Sequence, residues 1–167
     1  MSAYLIEGIS GTGKTTVSEE LQRRGFTTID ADEAFGYFGD PITGKPFATI
    51  SPDAFWLWDE KKLTSSFLNA QRKDVFVCGG AMNQEAFLHL FATVFTLHVD
   101  DATMTRRLAE RTNNDFGKHP DELAKMLAWN KGTLKYARER GTVLIDAAKP
   151  IGEVVEDILW HVAEVQD

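Results

Sequence analysis

Apolar residues follow two rhythms along this chain. Short runs whose successive positions are apolar, β-branched or aromatic lie at Tyr4–Glu7, Thr27–Asp30, Val75–Cys78, Val94–Val99 and Thr142–Ile145. Such runs without alternation are what strands show when a parallel sheet is covered on both faces. Between them the spacing lengthens to that of a helix. Ile151, Val154, Val155, Ile158, Leu159 and Val162 share one helical face. Pro120 followed by Asp121 and Glu122 suits a helix start, and Ser51 ahead of Pro52 and Asp53 is placed to cap another. This alternation predicts an α/β, three-layer domain whose mainly parallel sheet is joined by right-handed crossovers.

Two stretches break the rhythm. Gly36–Pro52 is rich in Gly, Pro and Asp, and Thr112–His119 is a polar loop with two asparagines and Gly117. No repeat, low-complexity tract or linker divides the chain, and 167 residues suit a single domain spanning 1–167.

Composition and charge narrow the partners. With 43% hydrophobic and 26% charged residues the chain is neither disordered nor fibrous. A net charge of −7 counts against nucleic acid, whose phosphates are held by clustered Lys and Arg. The lone Cys78 has no disulfide partner, and no run approaches the ~18 apolar residues of a membrane span. Met1 leads almost directly into the first strand-like run without a signal-peptide pattern. The expectation is a cytoplasmic protein with no membrane partner.

Gly8-Ile9-Ser10-Gly11-Thr12-Gly13-Lys14-Thr15 is a full match to the phosphate-binding loop of two spaced glycines followed by Lys and Thr. Glycines at Gly8, Gly11 and Gly13 let successive N–H groups turn toward phosphate oxygens. Ser10 and Thr12 lie within that cradle. Lys14 is expected to reach the β- and γ-phosphates and Thr15 to ligate Mg²⁺, with Thr16 beside them at the start of a helix whose positive end faces the anion. No guanine-reading Asn-Lys-x-Asp element is visible, so ATP with Mg²⁺ is the expected nucleotide.

Taken with Asp30-Ala31-Asp32, Gly79-Gly80, the run Arg107–Arg111 and the turn Asp146–Pro150, this loop resembles the small-molecule kinase group that holds adenylate, shikimate and gluconate kinases. The resemblance implies sheet order 2-3-1-4-5, a lid over 112–119 and an acceptor-binding region over 33–73. It implies that Asp30 lies near the metal and Asp32 near the acceptor hydroxyl, as base or anchor. It further implies that Arg107 covers the adenine, that Arg111 meets the phosphates as a catalytic cation beside Lys14, and that Pro150 lies by the nucleotide. Plainer roles stay open: Asp32 as the cap of a helix through Glu33–Phe38, and the arginines as a solvated face opposite Met104 and Leu108. Cys78-Gly79-Gly80-Ala81 departs from adenylate kinases, which place an acidic residue and a Pro-Arg pair there. Gly79-Gly80 suits either a close ligand approach or a simple turn.

Between Arg24 and Arg72 there is no arginine, and the cations are Lys45, Lys61 and Lys62. The same region holds Phe35, Tyr37, Phe38, Phe47, Phe55, Trp56 and Trp58, most of them expected in the core and one or two of Tyr37, Phe38, Trp56 and Trp58 at a pocket. The balance favours transfer from ATP to the hydroxyl of a small molecule such as a nucleoside, sugar or polyol. A nucleoside monophosphate kinase, with anion-binding help from Lys45, Lys131, Lys135 and Arg138, and an ATP-hydrolysing switch are the competing readings.

Overall fold

Side chains alternate along the first strand, β1 (Ala3–Glu7), and so divide the core in two. Tyr4 and Ile6 enter one hydrophobic cluster, Ala3 and Leu5 the other. The computed structural model describes residues 2–48, 54–69, 73–112 and 115–166. Its main sheet also contains β2 (Thr27–Asp30), β5 (Val75–Cys78), β6 (Thr93–His98) and β7 (Val143–Asp146), all parallel, in the order β2-β5-β1-β6-β7. Counted along the chain, these five strands have the expected order 2-3-1-4-5.

Helices α1 (Lys14–Arg23), α4 (Asp101–Glu110), α5 (Pro120–Arg140) and α6 (Ile151–Gln166) supply side chains to the cluster around Tyr4 and Phe95. Helices α2 (Ala31–Phe35) and α3 (Glu60–Asn69) and a 3₁₀ helix (Gln84–Leu90) serve the cluster around Leu5 and Val77. Val154, Val155 and Ile158 of α6 are fully buried, each contributing about 1.5–3 kcal/mol by leaving water. No described helix is long and apolar enough to cross a membrane.

The region after β2 differs from expectation. A helix through Phe38, capped by Asp32, does not form. Asp30 is the cap: its Oδ1 accepts from the N–H groups of Asp32 (2.9 Å) and Glu33 (3.3 Å), and α2 ends at Phe35. The chain then extends as β3 (Gly36–Gly39), antiparallel to β4 (Phe55–Trp58). Ser51, Pro52 and Asp53 lie outside the described residues, and the aromatic run after them is a strand rather than a helix. Cross-strand packing is the reason. Phe38 meets Trp56 edge to face at 4.8 Å, and a side chain at Gly36 would collide with the Trp56 ring. Asn83 stands in for a further strand, accepting from Trp58 N–H at 2.8 Å and donating to Trp58 C=O at 3.0 Å.

Parallel register brings the carboxyl ends of β1, β2 and β5 together: Cys78 lies beside both Ile6 and Asp30. A Cβ on Gly79 would stand 2.6 Å from that of Ala31, so this glycine lets α2 close down on the end of β5. Cys78 is buried, as a small hydrophobe would be, and burial pushes its thiol up to about 12.

Candidate active site

Gly13 is the residue that turns strand into helix here. It adopts φ +102°, which favours glycine, and as N-cap of α1 it offers no side-chain acceptor. The first amides of α1 are therefore left for an anion. The loop is braced from outside: Thr12, buried, donates its hydroxyl to Ile9 C=O at 2.8 Å. Arg107 donates to Thr12 C=O at 3.1 Å and to Ala147 C=O at 2.8 Å, tying the loop to the end of β7.

Lys14 folds back on its own loop, its Nζ donating to Gly8 C=O at 2.5 Å and Ile9 C=O at 3.4 Å. Burial lowers its pKa from the ordinary value, opposed by the carboxylates of Asp32 and Asp30. Arg111 Nη1 donates to Ser10 Oγ at 2.9 Å and Nη2 to Phe116 C=O. Its Nε is buried and makes no hydrogen bond. Burial lowers the Arg111 pKa too, against the pull of Glu122 and Asp115.

Three cavities open at this end of the sheet. One of about 550 Å³ is lined by Ser10 to Val17, Arg107, Glu110 and Arg111, together with Ala147, Lys149, Ile151 and Val154. A cleft of about 210 Å³ lies between Thr15, Asp30, Glu33 and Cys78. The third, about 1010 Å³, runs from Gly8 and Ile9 under Phe55, Trp56, Phe116 and Trp129 to Glu7, Gln84, Thr96 and Tyr136. Lys14 and Asp32 line all three. Asp32 Oδ1 accepts from Trp56 Nε1–H at 2.9 Å.

Every expected nucleotide-loop residue from Ser10 to Thr16 lies on the first cavity with Arg107 and Arg111, while Gly8 faces the largest one. Pro150 lines none of the three, although its neighbours Lys149 and Ile151 do, and its carbonyl starts α6 by accepting from Glu153 and Val154. Thr15 and Asp30 share the small cleft. Lys118 pairs with Asp115 at 2.8 Å and faces none of the cavities. Of the lid segment, Asn113 and Asn114 lie outside the described residues. Of the four ring candidates only Trp56 lines a cavity; Trp58 is buried against Phe35, and Tyr37 donates to Gly44 C=O at 2.9 Å. Lys45, Lys131, Lys135 and Arg138 do not line the large cavity, and Lys135 instead pairs with Glu139 at 3.7 Å.

Sequence reasoning missed the far wall. Glu7 is buried, its carboxylate taking hydrogen bonds from Thr96 (2.7 Å), Arg140 (3.3 Å) and Gln84. A charge ending an apolar strand on a doubly covered sheet was the available signal, since such a group needs partners. Trp129, Thr133 and Tyr136 recur at helical spacing on one face of α5, a stripe that core packing would equally explain.

The model of the AAA domain family matches residues 5–128. Shikimate kinase from Acinetobacter baumannii in complex with shikimate superposes with a TM-score of 0.64 at 18% identity, over 98% of this chain and 94% of that one. A gluconokinase from Sinorhizobium meliloti 1021 gives 0.60 at 21% identity, over 98% and 93%. Deoxyadenosine kinase from M. mycoides with bound dATP gives 0.60 at 13% identity, over 98% and 100%. Likeness at these identities establishes a shared fold. No curated protein is significantly similar to the chain.

Proposed function

We propose, since this chain belongs to the AAA-domain family, that it is an ATP-dependent phosphotransferase acting on the hydroxyl of a small molecule. The observation that carries the reading is that Lys14 and Asp32 form the wall shared by the phosphate-loop cavity and the large ring-lined one. That is where a transferring phosphoryl group and an attacking oxygen have to meet. The three superposable proteins are each named as kinases, which supports the same reading.

In this mechanism the amides of Gly11 to Lys14 cradle the phosphates, and Lys14 exchanges its two carbonyl partners for β- and γ-oxygens. Arg107 and Arg111, which bond to Thr12 and Ser10 of the loop, add fixed positive charge beside it. The acceptor oxygen attacks the γ-phosphorus as its bond to the β,γ-bridging oxygen breaks, and the hydroxyl proton passes to Asp32. Trp56 holds Oδ1 of that carboxylate, so Oδ2 would take the proton.

Mg²⁺, when bound, would neutralise charge developing on the phosphate oxygens. Among the described residues no three His, Cys, Asp or Glu side chains stand together as a metal cage. The Thr15 hydroxyl and the Asp30 carboxylate on one small cleft suit Mg²⁺, which takes one or two protein oxygens and fills its shell with phosphate and water. Residues 33–73 would then shape the acceptor side and 112–119 would cover the nucleotide. The test is ADP release from ATP and Mg²⁺ across a panel of alcohols and phosphomonoesters. Stimulation by an alcohol above background is expected; stimulation only by a phosphomonoester would replace this reading with a monophosphate kinase.

A further inference from the structure

We infer that the acceptor is an uncharged or cationic alcohol carried on a planar aromatic ring, a nucleoside-like shape rather than a sugar acid, a polyol or a phosphomonoester. The inference rests on the phosphotransferase reading and narrows it. At about 1010 Å³ the acceptor cavity has room for a ring and a hydroxylated arm together. Its walls are aromatic: Phe55 and Trp56 on β4, Phe116 in the 112–119 segment, Trp129 and Tyr136 on α5. Flat apolar faces suit a planar ring and offer little to a molecule whose every carbon bears a hydroxyl.

Charge decides between anion and neutral. Among the described residues lining the cavity the cation is Lys14, which belongs to the phosphate loop. Two further cations stand behind the wall: Arg111, held by Ser10 Oγ and Phe116 C=O on the nucleotide side, and Arg140, which sits between two carboxylates, 3.3 Å from Glu7 and 3.1 Å from Glu85, with Tyr136 as its ring contact at 4.3 Å. The Arg140 charge is balanced by these two carboxylates, although its Nε and Nη2 make no hydrogen bond, and it does not line the cavity. A carboxylate or phosphate on the acceptor would lose its water, meet Glu7 and Asp32, and find on the described wall no cation beyond Lys14, which the nucleotide's phosphates engage.

The polar end of the cavity is built to take donors. Glu7 receives three hydrogen bonds, from Thr96, Gln84 and Arg140, and a carboxylate has about four acceptor positions. The Gln84 amide is fixed at both ends, since its Oε1 accepts from Ala81 N–H at 3.1 Å while its Nε2 serves Glu7. One carboxylate position is thus presented by a rigid frame to an N–H or O–H of the ring, while Asp32 at the other end takes the reacting hydroxyl.

The experiment titrates probes into the full chain with a saturating non-hydrolysable ATP analogue and Mg²⁺, reading tryptophan fluorescence and heat. Parallel reactions with ATP read ADP release. The probes are the ribo- and deoxyribonucleosides, pyridoxine and thiamine against D-glucose, D-gluconate, shikimate, AMP and dCMP. At least one ring-bearing alcohol is expected to bind more tightly than every sugar, sugar acid and monophosphate. Its KM should rise about tenfold or more in Trp129→Ala, an exposed position outside both hydrophobic clusters, with kcat changed little. Glu7→Gln leaves Arg140 with less negative charge beside it and should shift the preference toward a monophosphate by about tenfold. Tighter binding of an anion or of glucose than of every ring-bearing alcohol overturns the inference, and so does the absence of any binding by those alcohols. Ring-alcohol binding without ADP release supports the cavity assignment and rejects the phosphotransferase reading instead.

Discussion

Lys14 carries a cost in the unliganded protein that its proposed role at the phosphates would explain. Its ammonium is held by two backbone carbonyls, and burial keeps its pKa below the ordinary 10.5. The unfolded chain therefore binds more protons than the folded one between the lowered pKa and 10.5, and stability climbs with pH across that window. Below the window the full penalty is present, and it is relieved only as the ammonium loses its proton. Lys14→Met should accordingly raise the Tm of the unliganded protein at pH 7 while lowering transfer by on the order of a hundredfold or more. Calorimetry and ADP release on one preparation check both halves; a lower Tm or near-wild-type turnover contradicts the assignment. Asp32 makes the complementary case. Asp32→Asn keeps the shape and the acceptor for Trp56 Nε1–H but removes the proton acceptor, so turnover should drop by roughly 10²–10⁴ with ATP affinity little changed. A small drop would mean an acceptor already ionised, and a large loss confined to Asp30→Asn would mean that the two carboxylates have exchanged roles.

At the scale of elements, what could be read from sequence was whatever is fixed locally or by burial. The central strands β1 and β5 stood out because both of their faces are covered and nearly every position is apolar. The edge strands β2 and β7 were marked instead by β-branched residues and by their place in the alternation. Helix α6 stood out because Val154, Val155 and Ile158 form one unbroken stripe. The β3–β4 hairpin did not, because what makes Phe55–Trp58 a strand is pairing with Gly36–Gly39 and with Asn83, partners that no local window contains. The same limit applies to Asp30 and Asp32: both are possible caps by residue type, and only the turn after β2 decides that Asp30 takes the amides. Within the 112–119 segment, Gly117 has φ +89° and lies against Leu108, and its N–H donates to Glu122 at 2.8 Å, so its hinge with α5 is tethered. If this segment closes over nucleotide, hydrogen exchange at residues 115–118 should slow when the ATP analogue and Mg²⁺ are added. Unchanged exchange at saturating nucleotide would remove the lid from the mechanism.

For the whole molecule, the nucleotide side was legible as one contiguous motif, whereas the acceptor side is assembled from β1, the 3₁₀ helix, β6 and α5 and has no local signature. The two sides are nevertheless joined through one arginine. Arg111 reaches Ser10 at 2.9 Å in the nucleotide cavity and the carbonyl of Phe116, whose ring lines the acceptor cavity. Ordering this link for one ligand spares part of the cost for the other, which is positive coupling without any large rearrangement. A nucleotide at a hundred times its Kd adds about 2.7 kcal/mol, which in a chain of this size raises Tm by roughly 5–11 °C. The acceptor found by the ADP-release panel should tighten the ATP analogue by about 5–150-fold, and the analogue should tighten the acceptor by the same factor, since binding linkage is reciprocal. Arg111→Met should bring that factor close to unity while each ligand still binds alone, because the cavities themselves keep most of their walls. Calorimetric titrations of both ligands in both orders, on wild type and variant, measure it. Independent binding in the wild-type protein would show that Arg111 serves the phosphates alone and that the two cavities share a wall without sharing energy.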